Sequence, residues 1–315
     1  MLCIKLRSSD PFISLATEEY LLKNTEEEYF IVGINDPSVI IGKHQVAHRE
    51  ADTEFVTRNN IPVIRRISGG GTVYHDSGNI NFSFILRSAK GRQVDFRKYV
   101  QPVIEFLASV NITAEFGGKN DLKSDGFKIS GNAEHIFRER VLHHGTLLIN
   151  ADIDTMKRSL RKDTSCYLTR AVHSNPAPVM NLKGKLSERM DAEEFSSQMW
   201  DFFLNEKENH PAILSPEAET GIRSLVNDKY KKWEWNYAYG PGYIFTGRFQ
   251  INNISYSCSM SVAEGIIREC DIEGSGEITR IGKSLSGCRH MPGDMMKIFL
   301  DHNIPVSESD IFKFF

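Results

Sequence analysis

The chain is poor in cysteine, in net charge and in long apolar runs. Its five cysteines, Cys3, Cys166, Cys258, Cys270 and Cys288, are scattered, odd in number and never spaced as CxxC. That argues against a disulfide framework or a zinc site and leaves reduced thiols as the default. A net charge of −3 over 315 residues gives no electrostatic ground for a nucleic-acid partner. No apolar run approaches a membrane span, and the N-terminal MLCIKLRSSD lacks a signal-peptide core, so the expectation is a cytoplasmic protein with no membrane partner. There is no internal repeat and no low-complexity tract. What remains, 40% hydrophobic and 25% charged residues, is the balance of an ordinary globular protein.

Against this background one stretch stands out, RRISGGGTVYHDSGNINFSFIL, from Arg65 to Leu86. Three consecutive glycines, Gly69 to Gly71, contribute nothing to packing and cost entropy on folding. Such a run serves a backbone that turns through positive φ or approaches a ligand closely. Two arginines precede it, and guanidinium forks match carboxylate and phosphate oxygens. From Asn79 to Leu86, Ile80, Phe82, Phe84 and Leu86 alternate with Asn79, Asn81 and Ser83, the pattern of a half-buried strand. The run is not a Walker loop, because no Gly-Lys-Ser/Thr closes it. It is not a dinucleotide fingerprint either, because a strand rather than a helix follows. The pattern favours an anion-binding loop over a plain glycine turn.

The flanking sequence divides into recognisable elements. Asp10-Pro11 is a cap-then-first-turn start for a helix over 11–24. Tyr29 to Val32 and Val39 to Ile41, separated by Asn35-Asp36-Pro37, read as a hairpin. Ile61 to Ile64 reads as a strand delivering the two arginines, and Phe96 to Val110 has helical spacing. Ser124-Asp125-Gly126 reads as a hairpin turn. After it, Lys128 alternates with Phe127 and Ile129 and is expected on the same side as Ser130. Leu142 to Ile149 is a strand, with Gly145-Thr146 interrupting it as if backbone or ligand came close. His143 and His144 face opposite sides of that strand, so they cannot chelate one ion; one structural and one pocket-facing histidine is expected. A short helix is expected over 154–160 and an amphipathic helix over 192–205. From about Tyr243 strand-like alternation and a helix near Met295 to Leu300 suffice for a small α+β domain. The expected division is 1–242 and 243–315.

Three strings occur in order: RRISGGGTVYHDSGNINFSF, GKNDLKSDGFKISGNAEHIF and HHGTLLIN. With the WEWNYAYGP clasp before a small C-terminal domain, they closely resemble the lipoate–protein ligase A family over essentially the whole chain. The resemblance implies an α/β (α+β) catalytic domain with two mixed sheets and flanking helices, shared with biotin–protein ligases. It implies a reaction in which lipoate and ATP form lipoyl-adenylate. The lipoyl group then passes to a lysine on the lipoyl domain of a 2-oxoacid dehydrogenase or on the glycine-cleavage H protein. It also implies roles for particular residues. Arg66, Gly71, Thr72, Val73, Tyr74 and Lys128 would contact the nucleotide, with Lys128 catalytic. Asn120 and Asp121 match the family's Asn-Asp pair and would orient phosphate and Mg²⁺, Asp121 as the metal ligand. Gly69, Gly70, His75 and His144, with Lys128, would wall the lipoate slot. A monomer is expected. Where relatives carry Asn-Pro-Trp to close the lipoate pocket, this chain has Val46-Ala47-His48, so the lid and acyl-chain selectivity do not carry over.

Four other readings compete. A lipoyltransferase confined to preformed lipoyl-adenylate would keep the same motifs. An octanoyltransferase would need an acyl-thioester on a residue such as Cys166, and nothing near it in sequence lowers its pKa. A non-catalytic binder of lipoyl domains or lipoate would have no use for Lys128. A biotin ligase rests on fold analogy alone.

Overall fold

The computed structural model describes every residue except 89–94, 119 and 189; Lys119 of the second motif therefore lies outside the described residues. The first part of the chain forms strands β1 (Leu2–Lys5), β2 (Tyr29–Ile34), β3 (Ser38–Ile41), β4 (Val63–Arg65), β5 (Val73–His75) and β6 (Asn79–Arg87). Then come β7 (Glu115–Gly117), β8 (Asp121–Ser124), β9 (Phe127–Phe137) and β10 (Arg140–Leu148). The remainder adds β11 (Tyr167–Leu168), β12 (His210–Pro211), β13 (Tyr243–Ile251), β14 (Ile254–Ala263) and β15 (Ile266–Gly274). They assemble into an eight-stranded mixed sheet, β12-β1-β2-β6-β10-β9-β8-β7, a three-stranded mixed sheet, β4-β3-β5, and a four-stranded sheet, β11-β13-β14-β15. The expected α/β class with two mixed sheets and flanking helices is what the chain forms. The third sheet draws its edge strand from residues 167 and 168.

The large sheet is covered on both faces. On one side Val100, Val103, Phe106 and Leu107 of helix Phe96–Ser109 and Phe195, Met199 and Phe203 of helix Ala192–Leu204 pack on Phe30, Val32, Phe82 and Phe84. On the other, helix Pro11–Asn24 lays Leu15, Leu21 and Leu22 against Ile31, Ile85 and Leu142, together with Ile40, Ile64 and Ile67 from the small sheet and its exit. That helix starts as its sequence prescribes: the Asp10 carboxylate accepts from Phe12 N–H and Pro11 fills the first turn. The second layer explains a departure from expectation. β2 and β3 are not a hairpin, because β2 pairs with β1 and β6 while β3 pairs with β4 and β5 in the other sheet. The Asn35-Asp36-Pro37 turn carries the chain between layers. Asp36 N–H bonds the Ser9 carbonyl at 2.8 Å instead of closing a two-strand ladder.

The second hairpin forms as read. Ser124 opposes Phe127, leaving Asp125 (φ 51°) and Gly126 (φ 80°) as the two loop residues, both in the left-handed region that such a turn demands.

Candidate active site

The glycine loop lies between the two sheets, and Arg66 folds it. The Arg66 guanidinium donates to the carbonyls of Gly69 (2.5 Å), Gly71 (2.7 Å) and Ile40 (3.1 Å), and its Nε donates to Ser68 Oγ at 2.9 Å. Burial pushes its pKa down to about 10, opposed by the charge of Glu18. The turn passes through Gly70 at φ +86°, and a Cβ on neighbouring Gly42 would stand 2.1 Å from the Gly70 carbonyl oxygen. Gly42 is thus required by close backbone approach.

Arg65 does something different. Its side chain is fully buried and donates to five carbonyls: Trp235 (2.9 Å), Gly42 and Lys43 (both 3.1 Å), Gln45 (2.6 Å) and Asn236 (2.8 Å). It staples the turn after β3 to the aromatic clasp, which folds as a π-helical turn, Glu234–Ala238, just after another at Val226–Tyr230. Trp235 Nε1–H returns a bond to the Arg65 carbonyl at 2.7 Å.

Lys128 comes to the side of Gly131 that faces Val73, just past the loop, by a route the alternation did not predict. Leu122 opposes Ser130 but Lys123 opposes Lys128, so Ile129 is an extra residue, a β-bulge. The bulge reverses the alternation. Ser130 falls on the same face as core residue Leu122, not with Lys128 as expected. The Lys128 amine instead lies beside Gly131, where a Cβ would meet Nζ at 3.2 Å and Val73 Cγ1 at 3.7 Å. Gly131 and Ala133 share the face that looks at the glycine loop, since a Cβ on Gly70 would touch Ala133 Cβ at 3.9 Å. Asp121 Oδ1 holds the ammonium at 2.9 Å, with about a quarter of the lysine side chain exposed (24%).

The other expected residues are distributed as follows. Thr72 N–H donates to Ser174 Oγ at 2.8 Å, so a segment from beyond β11 covers this end of the loop. Ser174 also accepts from Gln45 Nε2 and donates to Glu50. Tyr74 turns its ring into the cluster of Val39, Ile41 and Val63, away from the loop, and burial raises its pKa to about 12. His75, buried and lowered to about 3 by desolvation and by the nearby Arg66 charge, accepts from Asn35 Nδ2 at 3.1 Å. Asn120 is bonded to the Asn132 backbone through its side chain and its carbonyl. His143 faces the helical side, with Nδ1 3.0 Å from Glu134 Oε1. His144 faces the loop, bonded to Ser68 and Glu18. The space at Gly145 belongs to neither backbone nor ligand, because a Cβ there would strike Asn132 Oδ1 and Phe82. Among the described residues no three His, Cys, Asp or Glu side chains group as a metal site. Mg²⁺ takes only one or two protein carboxylates beside phosphate oxygens, so the absence of such a group does not bear on it, and Asp121 Oδ1 is paired here with Lys128.

Three features escaped sequence reasoning. Glu18 is buried against the sheet, although it stands three residues after Leu15 and four before Leu22, on the apolar stripe of its helix; a carboxylate in that stripe was the available signal. Ser68, hidden between the arginines and the glycines, carried none. His48, in the segment where the resemblance broke off, donates from Nε2 to the His290 carbonyl at 2.7 Å and anchors the site to the C-terminal sheet. Cys166 is half-buried against the C-terminal cluster, and burial raises its thiol pKa, which suits a packing residue and not a nucleophile.

Comparison with known proteins identifies the family. Residues 10–204 match the model of the lipoyl protein ligase A/B catalytic domain. The chain is 36% identical to lipoate–protein ligase 1 of Staphylococcus aureus over 288 residues, 90% of this chain and 88% of the relative. Among solved structures, an ATP-bound lipoate-protein ligase A superposes with a TM-score of 0.62 at 25% identity, over 75% of this chain and 96% of the other. A bi-partite lipoate protein ligase of Thermoplasma acidophilum, studied with its E2 lipoyl domain, gives a TM-score of 0.63 at 25% identity, over 75% of this chain and 94% of that one. The chain belongs to the lipoyl protein ligase A/B family.

Proposed function

We propose that this protein is an ATP-dependent lipoate–protein ligase. The observation that carries the reading is the Lys128 ammonium, held by Asp121 and delivered by the Ile129 bulge to the edge of the glycine loop. In the first step a lipoate carboxylate oxygen attacks the α-phosphorus of ATP and pyrophosphate leaves. Two anions must meet, and Lys128 offsets their repulsion. It then follows the charge onto the acyl-adenylate. The glycine-loop N–H groups from Gly71 to Val73 cradle phosphate oxygens as an anion nest. Nucleotide entry requires Ser174 to leave Thr72 N–H, so the segment over the loop opens before ATP seats. Asp121 would hold Mg²⁺ together with phosphate oxygens, and the metal would supply charge neutralisation there. Gly69, Gly70, His75 and His144 wall the acyl slot.

In the second step the acceptor lysine amine, having lost its proton, attacks the acyl carbon and AMP leaves. The mixed anhydride is already activated, so no covalent enzyme intermediate is needed and excluding water is the main task. The acceptors are lipoyl domains of 2-oxoacid dehydrogenases and the glycine-cleavage H protein, met by a cytoplasmic monomer. Residues 1–242 form the catalytic part, and 243–315 an accessory domain that moves between the steps.

Incubation with lipoate, ATP and an apo lipoyl domain tests the reading. Pyrophosphate release and a lipoylated acceptor support the ligase. Lipoylation only from preformed lipoyl-adenylate would reassign the protein as a transferase.

A further inference from the structure

We propose that Glu18, His144 and Ser68 form a relay that positions Arg66 and thereby sets the curvature of the glycine loop, so that these pocket residues govern nucleotide binding. The proposal rests on the ligase reading above and assigns positioning roles that reading does not contain.

The relay is continuous. Ser83 Oγ donates to Glu18 Oε1 at 2.5 Å, Glu18 Oε2 lies 2.8 Å from His144 Nδ1, and His144 Nε2 lies 2.6 Å from Ser68 Oγ. Ser68 Oγ accepts from Arg66 Nε at 2.9 Å. All five side chains are buried. With His144 neutral, every bond is satisfied when Ser68 accepts from Arg66 and gives its own proton to His144 Nε2. That leaves the imidazole proton on Nδ1, facing a Glu18 carboxylate which also receives the Ser83 hydroxyl. A carboxylate buried in the apolar stripe of a helix is costly without such partners.

The consequence for the loop follows from peptide planarity. In a trans peptide the C=O and the next residue's N–H point in opposite directions. Arg66 draws the Gly69 and Gly71 carbonyls inward, which turns the N–H groups of Gly70 and Thr72 outward. The Thr72 N–H does point away, to Ser174 Oγ. Arg66 therefore acts on the nucleotide through the loop, and Ser68 with its two supports fixes the plane of the guanidinium. Residues that only walled the acyl slot would affect acyl binding alone; a relay affects ATP as well.

The test is lipoate-dependent ATP–pyrophosphate exchange in the full-length chain. Ser68→Ala and Glu18→Gln are expected to raise KM for ATP about tenfold, the loss of roughly one charge-assisted hydrogen bond. KM for lipoate is expected to change less than KM for ATP, although His144, Gly69 and Gly70 also wall the acyl slot, and Ser68→Thr, which keeps the hydroxyl, to retain more ATP affinity than Ser68→Ala. A rise confined to the lipoate KM, or no change in either, overturns the relay. A wild-type measurement stands independent of whether the variants fold. In histidine-¹⁵N-labelled protein, His144 should show a protonated Nδ1 and a bare Nε2, and its signals should move when ATP alone is added. Signals that stay still through the nucleotide titration refute the coupling. Wild type without lipoate-dependent exchange refutes the ligase reading itself, and the ATP titration still decides the relay.

Discussion

Replacing Arg65 by methionine removes a buried cation that has no carboxylate partner among the described residues and is held by carbonyl oxygens. The methionine fills part of the volume but leaves five acceptors, on Gly42, Lys43, Gln45, Trp235 and Asn236, without their donor. At the low end for bonds to a charged group, about 1.5 kcal/mol each, the five contribute roughly 7 kcal/mol. Burying the guanidinium offsets part of this. Its pKa is pushed from 12.5 to about 10 by desolvation, a cost of about 3 kcal/mol. The net loss is then about 4 kcal/mol, within the range for breaking a buried network. For a chain of this size that lowers Tm by about 8 °C. The damage should concentrate where the staple acts. Trp235, whose indole N–H bonds the Arg65 carbonyl, should become more solvent-exposed in its fluorescence before the main transition. Arg65→Lys should recover part of the loss, since one ammonium cannot span acceptors on two segments. Scanning calorimetry with tryptophan fluorescence reads both effects. A Tm within about 2 °C of wild type for Arg65→Met would show that the carbonyls find other donors and that the staple is not what closes the clasp.

Other substitutions probe the site itself. Lys128→Ala should lower lipoate-dependent pyrophosphate exchange by about 10²–10³ while the protein stays folded, the usual cost of removing one donor to developing charge; retained exchange would remove the lysine from the chemistry. Gly42→Ala, whose Cβ would stand 2.1 Å from the Gly70 carbonyl oxygen, should destabilise by about 1–3 kcal/mol and weaken ATP binding more than lipoate binding, measured by calorimetric titration. Cys166→Ser should leave turnover unchanged, and mass spectrometry of the incubated wild type should find no acyl-thioester. Acid should loosen the contact between the site and the C-terminal sheet. Burial holds His290 down at about 4 and lowers His48 as well. Both are depressed relative to the unfolded chain, so the stability they carry is present above about pH 6.5 and is lost as pH falls toward 4, about 3 kcal/mol for His290 alone. A Tm that is flat across that window would contradict this.

Much of this molecule was legible along the chain because the relevant physics is local. The Asp10-Pro11 start, the apolar stripe of helix Phe96–Ser109 and the left-handed Asp125-Gly126 pair follow from the conformations available to those residues and their neighbours. The three motifs in register also declared the family. The rest depended on what lay across a gap. One residue's excess on β9, opposite a strand whose register no short window reveals, turned Lys128 toward the loop. Two arginines adjacent in sequence received opposite tasks, because β4 ends between the clasp on one side and the glycine turn on the other. Glu18 stands out in its segment only as a carboxylate on an apolar stripe and Ser68 not at all, and they become a relay only when a helix from the start of the chain packs beside β10. Backbone preference acts over a few residues and is written in them. The direction of a buried charge is set by whichever polar groups the other layer brings to it, and packing alone supplies those.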